Sequence, residues 1–375
     1  MQVIIMVPEA DFKHGTKSDT LVSVVVPAYQ AHETIESCVN SVLLQTFLNF
    51  ECIVVIDGAT DDTEGIVDEL ASKDSRVKVV KQRNLGRSAA RNNGIHHAQG
   101  NWIMFVDADD CLDSDAIEKL VSGITVETDI IYGNYRTSSG SSPHCSGISG
   151  EFDLSLLKKA CLNIEQLNLQ QYDCNYTFDT YNCRTCWAKL YSRFILNKIE
   201  SPFPEDVQIG EDTLMNYRVL GISKHVAYVD SPIYVYNNNS AGTVRTWSAK
   251  NYTSIVNLSN HIQAACMHDS EYRIDLMSFV ARDYLGIFSR SSRYAKISQG
   301  HEICLLAKNA CTDFIRGSLP VYIGNRLNLR GLYNYTRICF VRHNWFYGAF
   351  FLQKIAGFFN QIKYYRIFLN IYDVH

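Results

Sequence analysis

Three carboxylates follow a short apolar segment in the first third of the chain. Trp102 to Val106 is uninterrupted apolar sequence, and Asp107, Asp109 and Asp110 come directly after it. Such a segment is typical of a strand that is buried on both faces. Carboxylates this close repel one another and resist losing their water, and a divalent cation removes both conflicts. Asp107 and Asp109 therefore predict a Mn²⁺ or Mg²⁺ site that leaves positions for water and phosphate.

A polar turn is the alternative interpretation of the same residues. Turns rich in aspartate are common, and Asp110 could cap the helix that the sequence predicts soon after Ser114. The metal interpretation therefore depends on whether other polar clusters converge on this one.

The elements that would position these carboxylates alternate between strand and helix. Apolar segments that begin near Leu21, Cys52, Val77 and Trp102 predict strands, and helical periodicity separates each strand from the next. This alternation predicts a parallel sheet with right-handed crossovers. Ligands bind such sheets beyond the carboxyl ends of the strands. Three polar clusters fall at those ends: Pro27-Ala28-Tyr29, Asp57-Gly58 and Asp107-Ala108-Asp109.

The later part of the chain predicts a looser organisation. Residues 137–149 are rich in Ser and Gly and predict a loop. Val226 to Tyr236 predicts a hairpin that turns through Asp230-Ser231-Pro232. From residue 248 onward the pattern is helical. We therefore expect an N-terminal extension over 1–20, an α/β domain over 21–245 and a helical region over 246–375.

Seven short motifs stand in order over residues 21–220. They are Val22–Tyr29, Ser41–Thr46, Asp57–Asp61, Asn84–Gly94, Asp107–Asp110, Trp187–Tyr191 and Gly210–Thr213. This ordered set resembles glycosyltransferase family 2, although Ile56 and Gln30 stand where the family often has Asp and Asn. The resemblance implies a GT-A-like mixed, mostly parallel sheet flanked by helices. It also implies a nucleotide-sugar half over 21–130 and an acceptor half over 131–245.

The family resemblance implies a reaction as well as a fold. A sugar would move, with inversion, from a nucleotide-diphosphate donor to a hydroxyl of a glycan or lipid-linked saccharide during synthesis of a cell-surface polysaccharide. A cation on Asp109, with Asp107 nearby, would neutralise the charge that develops on the leaving diphosphate. Inversion also requires a general base that deprotonates the acceptor hydroxyl. Asp212 is the candidate base, and Glu211 is the second candidate.

The same motifs supply the remaining donor-site predictions. The backbone of Pro27, Ala28 and Tyr29 would line the nucleoside. Asp57 would accept a hydrogen bond from the imide N–H of the nucleobase, which uracil has and which adenine and cytosine lack, so a UDP-sugar is the expected donor. The residues expected on the diphosphate side are Asn84, Gly86, Arg91 and Ala108.

Each of these residues also has an interpretation without chemistry. Asp57 could cap the helix after it, and Glu211 and Asp212 could be ordinary acidic residues in the first turn of a helix. Arg91 could be a structural ion-pair partner.

Two other classes of protein remain open. A nucleotidyltransferase needs a similar sheet and metal, but it usually carries a Gly-rich loop with Lys near the first strand, and Pro27 to Ala31 has neither. A non-catalytic sugar-binding protein on the same fold would have little use for both Asp107 and Asp109 together with Glu211 and Asp212.

Composition and charge limit the surroundings in which the protein works. The 375 residues are 46% apolar and 20% charged, as in ordinary globular proteins, and a net charge of −4 gives no indication of a nucleic-acid partner. Twelve scattered cysteines predict buried thiols in a reducing compartment. The absence of a signal peptide and of any apolar run of about 18 residues predicts a cytoplasmic protein without a membrane span.

The C-terminal segment differs from the rest of the chain. Residues 316–375 carry eight Lys or Arg and one Asp, a net charge of +7. Aromatic and apolar residues from Trp345 to Ile362 recur on one helical face. This combination predicts a peripheral helix on an anionic membrane at its inner face. The alternative is a helix packed on the protein or in a homo-oligomer interface, and co-sedimentation with anionic vesicles distinguishes the two.

Overall fold

The computed structural model describes residues 20–140, 150–151, 153–162, 180–237, 249–294, 297–322, 341 and 345–350. These residues form two compact units. The first contains the described residues up to 205 together with 211–237, and the second contains Asp206–Gly210 and the described residues from 249 onward. The N-terminal extension, residues 141–149 and most of the basic tail lie outside the described residues. The loop, membrane and oligomer interpretations of those segments stay predictions.

One sheet forms the centre of the first unit. Its strands, within the described residues, are β1 (Val22–Ala28), β2 (Phe50–Asp57), β3 (Val77–Gln82), β4 (Trp102–Phe105), β5 (Cys111–Leu112), β6 (Ile130–Thr137), β7 (Gly150–Glu151), β8 (Lys189–Ser192) and β9 (Val226–Tyr236). Their order is β3-β2-β1-β4-β8-β6-β9-β5, and β7 also pairs with β9.

The sheet is mixed and mostly parallel, as the sequence predicts. The pairings β1–β2, β1–β4, β2–β3 and β6–β9 are parallel. The antiparallel pairings, β4–β8, β5–β9, β6–β8 and β7–β9, are all shorter than the parallel ones. Strands β2, β1 and β4 are neighbours, so the three polar clusters at their carboxyl ends lie side by side along one edge of the sheet.

Helices cover both faces of this sheet. Those of the first unit are α1 (Ile35–Leu43), α2 (Thr63–Lys73), α3 (Arg87–His97), α4 (Ala116–Ser122), α5 (Leu154–Leu162), α6 (Thr180–Arg184), α7 (Arg193–Leu196) and α8 (Glu211–Ile222). Val24 packs in a core with α1, α2 and α4, and Val25 packs in a second core with α3, α5, α7 and α8. Alternate residues of β1 thus face opposite layers, as strand geometry requires.

Helix α3 lies unusually close to β1. A Cβ atom at Gly94 would lie 2.3 Å from Cγ1 of Val25, so a larger residue at this position would force the helix away from the strand. Because α3 also carries Arg91, this close packing fixes the depth at which the arginine enters the site.

The hairpin predicted for residues 226–236 is wrong. The segment forms the single strand β9, which runs parallel to β6 from Ile130 opposite Val226 to Thr137 opposite Tyr236. The register shifts near Asn134, which lies opposite Pro232 and donates from Nδ2 to Asp230 Oδ1 at 2.8 Å. The Asp-Ser-Pro sequence therefore makes an irregularity within one strand and not a turn between two.

The second unit is helical among its described residues, as predicted. It contains α9 (Lys250–His268), α10 (Arg273–Tyr294), α11 (Gly300–Ala310) and α12 (Asp313–Tyr322). The segment Asp206–Gly210 is held within this unit, because Ser254 Oγ of α9 accepts the N–H groups of Gln208 (2.7 Å) and Ile209 (3.2 Å). In the described part of the chain, no helix has the length and apolarity needed to cross a membrane. No disulfide joins the cysteines that the structure describes.

Candidate active site

Arg91 joins the two carboxylate clusters that the sequence places far apart. Its side chain is 2% exposed. Nη2 donates to Asp107 Oδ1 at 2.8 Å, just after β4, and Nη1 donates to Asp212 Oδ1 at 2.7 Å, at the start of α8. The guanidinium also lies over the ring of Phe203, with Cζ 5.2 Å from its centre. The ion-pair interpretation of Arg91 is thus what the structure shows, and both partners are candidate functional residues.

Glu211 and Asp212 occupy different environments at the start of α8. The side chain of Glu211 is 3% exposed and that of Asp212 is 22% exposed. Glu211 Oε1 lies 2.5 Å from Arg87 Nε and 3.5 Å from Arg91 Nη1. Burial raises the pKa of Glu211 to about 7, although both arginines act to lower it. Of the two candidate bases, Asp212 is the one that an acceptor from solvent can reach.

Asp107 and Asp109 have the electrostatic conflict that a cation would remove. Burial, followed by the negative charge of Asp107, raises the pKa of Asp109. A divalent ion near both carboxylates would reverse this effect, so the two residues fit the predicted metal. Among the described residues, no group of three His, Cys, Asp or Glu side chains could hold an ion. A cation here would therefore complete its coordination with water and, once a donor is bound, with diphosphate oxygens.

Asp110 has a different role from its two neighbours. It is buried, and it accepts hydrogen bonds from Tyr234 Oη at 2.7 Å and from the N–H of Asn237 at 2.7 Å. Burial, followed by the charge of Asp107, raises the pKa of Asp110 to about 8. Its carboxylate is thus committed to β9 and to the residue that follows this strand, and it does not act as the helix cap that the sequence allowed.

Tyr234 and Asn237 are contributors to this site that the sequence did not indicate. The N–H of Asp107 donates to Tyr234 Oη at 3.1 Å, and Asn237 Nδ2 donates to the carbonyl oxygen of Asp109 at 2.7 Å. Tyr234 stands 127 residues from Asp107 in the chain, and no spacing rule connects them. Tyr234 to Tyr236 predict strand packing, with a platform for stacking a sugar as the alternative, and neither interpretation includes a contact with Asp107.

Asp57 organises the loop that precedes α3. Its Oδ1 accepts from the N–H of Leu85 and from Nε2 of Gln82, both at 2.8 Å, and its Oδ2 accepts from the N–H of Gly86 at 2.9 Å. Asp62, not Asp57, stands at the N-cap of α2. The capping alternative is therefore not what the structure shows. A carboxylate oxygen has two acceptor sites, so Oδ2 keeps capacity for one further donor.

The other predicted donor-site residues lie around Asp57 and Asp107. A Cβ atom at Gly58, where φ is +65°, would lie 2.5 Å from the backbone nitrogen of Asn84, so the glycine permits the two segments to touch. Pro27 and Ala28 end β1, and Tyr29 follows with 51% of its surface exposed. Ala108 packs against the core between the two metal-site candidates.

Comparison with solved structures defines the class of fold. The crystal structure of residues 1–349 of TarS from S. aureus superposes with a TM-score of 0.62 at 19% sequence identity. The match covers 89% of this chain and 90% of that one. Structures of the same TarS fragment in complex with UDP and with UDP-GlcNAc match similarly. The predicted GT-A-like fold is thereby confirmed.

Comparison of sequences identifies the family. The family described as Glycosyl transferase family 2 matches residues 23–199. Glycosyltransferase GlyG of Streptococcus pneumoniae is 30% identical over 228 residues, which cover 60% of this chain and 73% of GlyG. The putative glycosyltransferase EpsH of Bacillus subtilis is 29% identical over 267 residues, which cover 69% of this chain and 74% of EpsH. Glycosyltransferase GlyA of S. pneumoniae is 29% identical over 236 residues, which cover 62% of this chain and 32% of GlyA. The chain belongs to glycosyl transferase family 2.

Proposed function

We propose that this chain is an inverting glycosyltransferase that moves a sugar from a nucleotide-diphosphate donor to a hydroxyl of a glycan or lipid-linked saccharide in cell-surface polysaccharide synthesis. The Arg91 bridge carries the proposal. One buried guanidinium binds a carboxylate at the carboxyl edge of the sheet, where donors bind, and a carboxylate that solvent reaches at the start of α8. Membership of the family and the relatives named as glycosyltransferases support it.

The reaction needs a base on the side of the acceptor. The acceptor oxygen attacks the anomeric carbon from the face opposite the diphosphate, the bond to the diphosphate breaks, and Asp212 takes the hydroxyl proton. Arg91 orients Asp212 through the 2.7 Å bond to its Oδ1. Because the acceptor displaces the diphosphate directly, through an oxocarbenium-like transition state like that of inverting glycoside hydrolysis, no covalent intermediate with the protein is required.

The reaction also needs positive charge on the side of the donor. Negative charge develops on the diphosphate as its bond to the sugar breaks, and Arg91 offsets the negative charge of Asp107 beside it, which would otherwise repel the diphosphate. Asp109 and Asp107 would hold a Mn²⁺ or Mg²⁺ ion, which would supply Lewis-acid stabilisation of the leaving group.

The metal proposal predicts that Asp109→Ala abolishes sugar transfer and leaves the fold intact. The variant lacks the carboxylate that would bind the cation. In the wild type, burial and the negative charge of Asp107 raise the pKa of this carboxylate, and a bound cation would counteract that effect. Asp115→Ala is the matched control, because Asp115 lies after β5 at the start of α4 and its carboxylate pairs with Lys119 at the surface. Transfer rates with and without chelator test the prediction, and full wild-type activity in chelator would show that the metal assignment is wrong.

A donor panel tests the proposed function itself. We expect nucleotide release from a UDP-sugar to exceed release from ADP- and CDP-sugars, because Asp57 Oδ2 keeps one acceptor site for the imide N–H of uracil, which adenine and cytosine lack. Guanine also has a ring N–H, so a GDP-sugar belongs in the same panel and decides between the two bases. The TarS structures with UDP and UDP-GlcNAc support the same donor class. Tighter binding of GDP or CDP than of UDP would reject the nucleobase assignment. Binding of donors without any release would indicate a non-catalytic sugar-binding protein.

A further inference from the structure

A single hydroxyl group contacts both ends of the turn Asp107–Asp110. Tyr234 is fully buried, and its Oη accepts the N–H of Asp107 at 3.1 Å while it donates to Asp110 Oδ2 at 2.7 Å. A phenolic hydroxyl has one proton to give, so this donation is its full capacity as a donor. The N–H of Asp110 closes the turn on the carbonyl oxygen of Asp107 at 3.0 Å.

The ring that carries this hydroxyl is itself held rigidly. Trp187 stacks on it with centroids 4.6 Å apart and planes 7° from parallel. The carbonyl oxygen of Trp187 accepts from Lys189 Nζ at 3.1 Å, and this buried lysine also donates to the carbonyl oxygens of Asn182 (2.6 Å) and Thr185 (2.8 Å). Tyr234 therefore reaches the turn from a fixed base and not from a mobile side chain.

Asn237 adds a second attachment to the same turn. Its N–H donates to Asp110 Oδ1 at 2.7 Å, and its Nδ2 donates to the carbonyl oxygen of Asp109 at 2.7 Å. The bonds from Tyr234 and Asn237 thus go to the backbone of Asp107 and Asp109 and to the Asp110 side chain. None of these bonds goes to the carboxylate of Asp109 or to that of Asp107, whose Oδ1 accepts from Arg91 Nη2.

We propose that Tyr234, supported by Asn237, is a positioning residue that sets the geometry of Asp107 and Asp109 for a divalent cation and the donor diphosphate. Strand β9, in the acceptor half of the chain, would in this way complete the donor site. The inference rests on the proposed function. It adds to that function that β9, which lies outside the Asp107–Asp110 motif, holds the two proposed metal ligands in position before the cation binds.

Tyr234→Phe tests the proposal because it removes one oxygen atom and keeps the ring stacked on Trp187. The N–H of Asp107 and Oδ2 of Asp110 would lose a partner, and the turn would sample other conformations. Loss of a supporting contact behind a metal ligand typically weakens metal binding or activity by about 10- to 100-fold. We expect about 10-fold weaker Mn²⁺ binding in a direct titration without donor. We also expect about a 10-fold higher donor KM, with kcat at saturating donor within about twofold of the wild type.

Tyr228→Phe is the matched control, since Tyr228 lies on the same strand and its hydroxyl lies 3.5 Å from Asp230 Oδ1. It should leave Mn²⁺ affinity and donor KM unchanged. If Tyr234→Phe does not fold, Asn237→Ala supplies the test, and it should weaken Mn²⁺ binding in the same direction. Wild-type Mn²⁺ affinity and donor KM in a folded Tyr234→Phe, or a lowered kcat alone, would overturn the proposal.

The titration separates this inference from the proposed function. A wild-type chain that binds Mn²⁺ but releases no nucleotide from any donor would contradict the function, and the effect of Tyr234→Phe on Mn²⁺ affinity would still decide the inference. A wild-type chain that transfers sugar but binds no Mn²⁺ would overturn the inference and leave the transferase proposal standing.

Discussion

Asp212→Asn should lower kcat by about 10²–10⁴-fold, the usual contribution of a general base, while the donor KM stays near its wild-type value. The amide cannot take the proton from the acceptor hydroxyl. It keeps an oxygen that can accept from Arg91 Nη1, which lies 2.7 Å from the carboxylate in the wild type. The fall in kcat should therefore reflect the loss of the general base and not a displaced side chain.

Glu211→Gln is the matched control for this substitution. Glu211 is the neighbouring carboxylate, but it is buried against Arg87 and Arg91 and is 3% exposed. We expect Glu211→Gln to lower the free energy of unfolding more than it lowers kcat, because the substitution removes one partner of a buried ion pair. Initial rates with both substrates varied make the comparison. A large fall in kcat for Glu211→Gln with little change for Asp212→Asn would assign the base to Glu211.

The first four strands and the polar clusters after them could be predicted from the sequence because each signal is local. An apolar run followed at once by carboxylates, as at Asp107, needs no knowledge of the rest of the chain. The edge of the sheet on which the clusters meet follows from the rule that parallel strands share one carboxyl edge. The structure adds the order β2-β1-β4, which makes the three clusters neighbours.

The contacts that join the two halves of the site could not be predicted in this way. Arg91 and Asp212 are 121 residues apart, and their meeting depends on how α3 and α8 pack on one face of the sheet. Asp110 and Tyr234 are separated by 124 residues. Sequence spacing relates residues along one helix or strand. It can therefore identify candidate residues, but it cannot identify the distant residues that they contact.

The error at β9 has the same origin. Asp230-Ser231-Pro232 is a strong local turn signal, and the hairpin followed from it. The strand continues because β6, about 100 residues earlier, pairs with residues on both sides of the irregularity. A distant partner thus overrides a local preference, and it extends the strand to Tyr234, which supports the Asp107–Asp110 turn.

Arg91→Ala should destabilise the protein and abolish transfer. Removing one partner of a buried ion pair costs about 3–5 kcal/mol. We expect about 3 kcal/mol, the lower end of that range, because Asp107 is 32% exposed and Asp212 is 22% exposed, so water solvates part of the charge. Arg91→Lys should keep more of the stability but still lower kcat by at least about 10-fold, since an ammonium cannot reproduce the fork that binds two carboxylates.

Urea denaturation and transfer rates measure the two effects separately. Arg136→Ala is the control, because Arg136 pairs with Asp113 at 2.6 Å and the two side chains are 37% and 23% exposed. An exposed pair of this kind contributes about 0–1 kcal/mol, so this variant should stay near wild-type stability and activity. If Arg91→Ala were as stable as Arg136→Ala and still transferred sugar, the proposal that Arg91 aligns Asp107 with the base Asp212 would be wrong. If Arg91→Lys recovers stability without recovering kcat, the two-sided geometry of the guanidinium, and not its charge alone, couples the halves of the site.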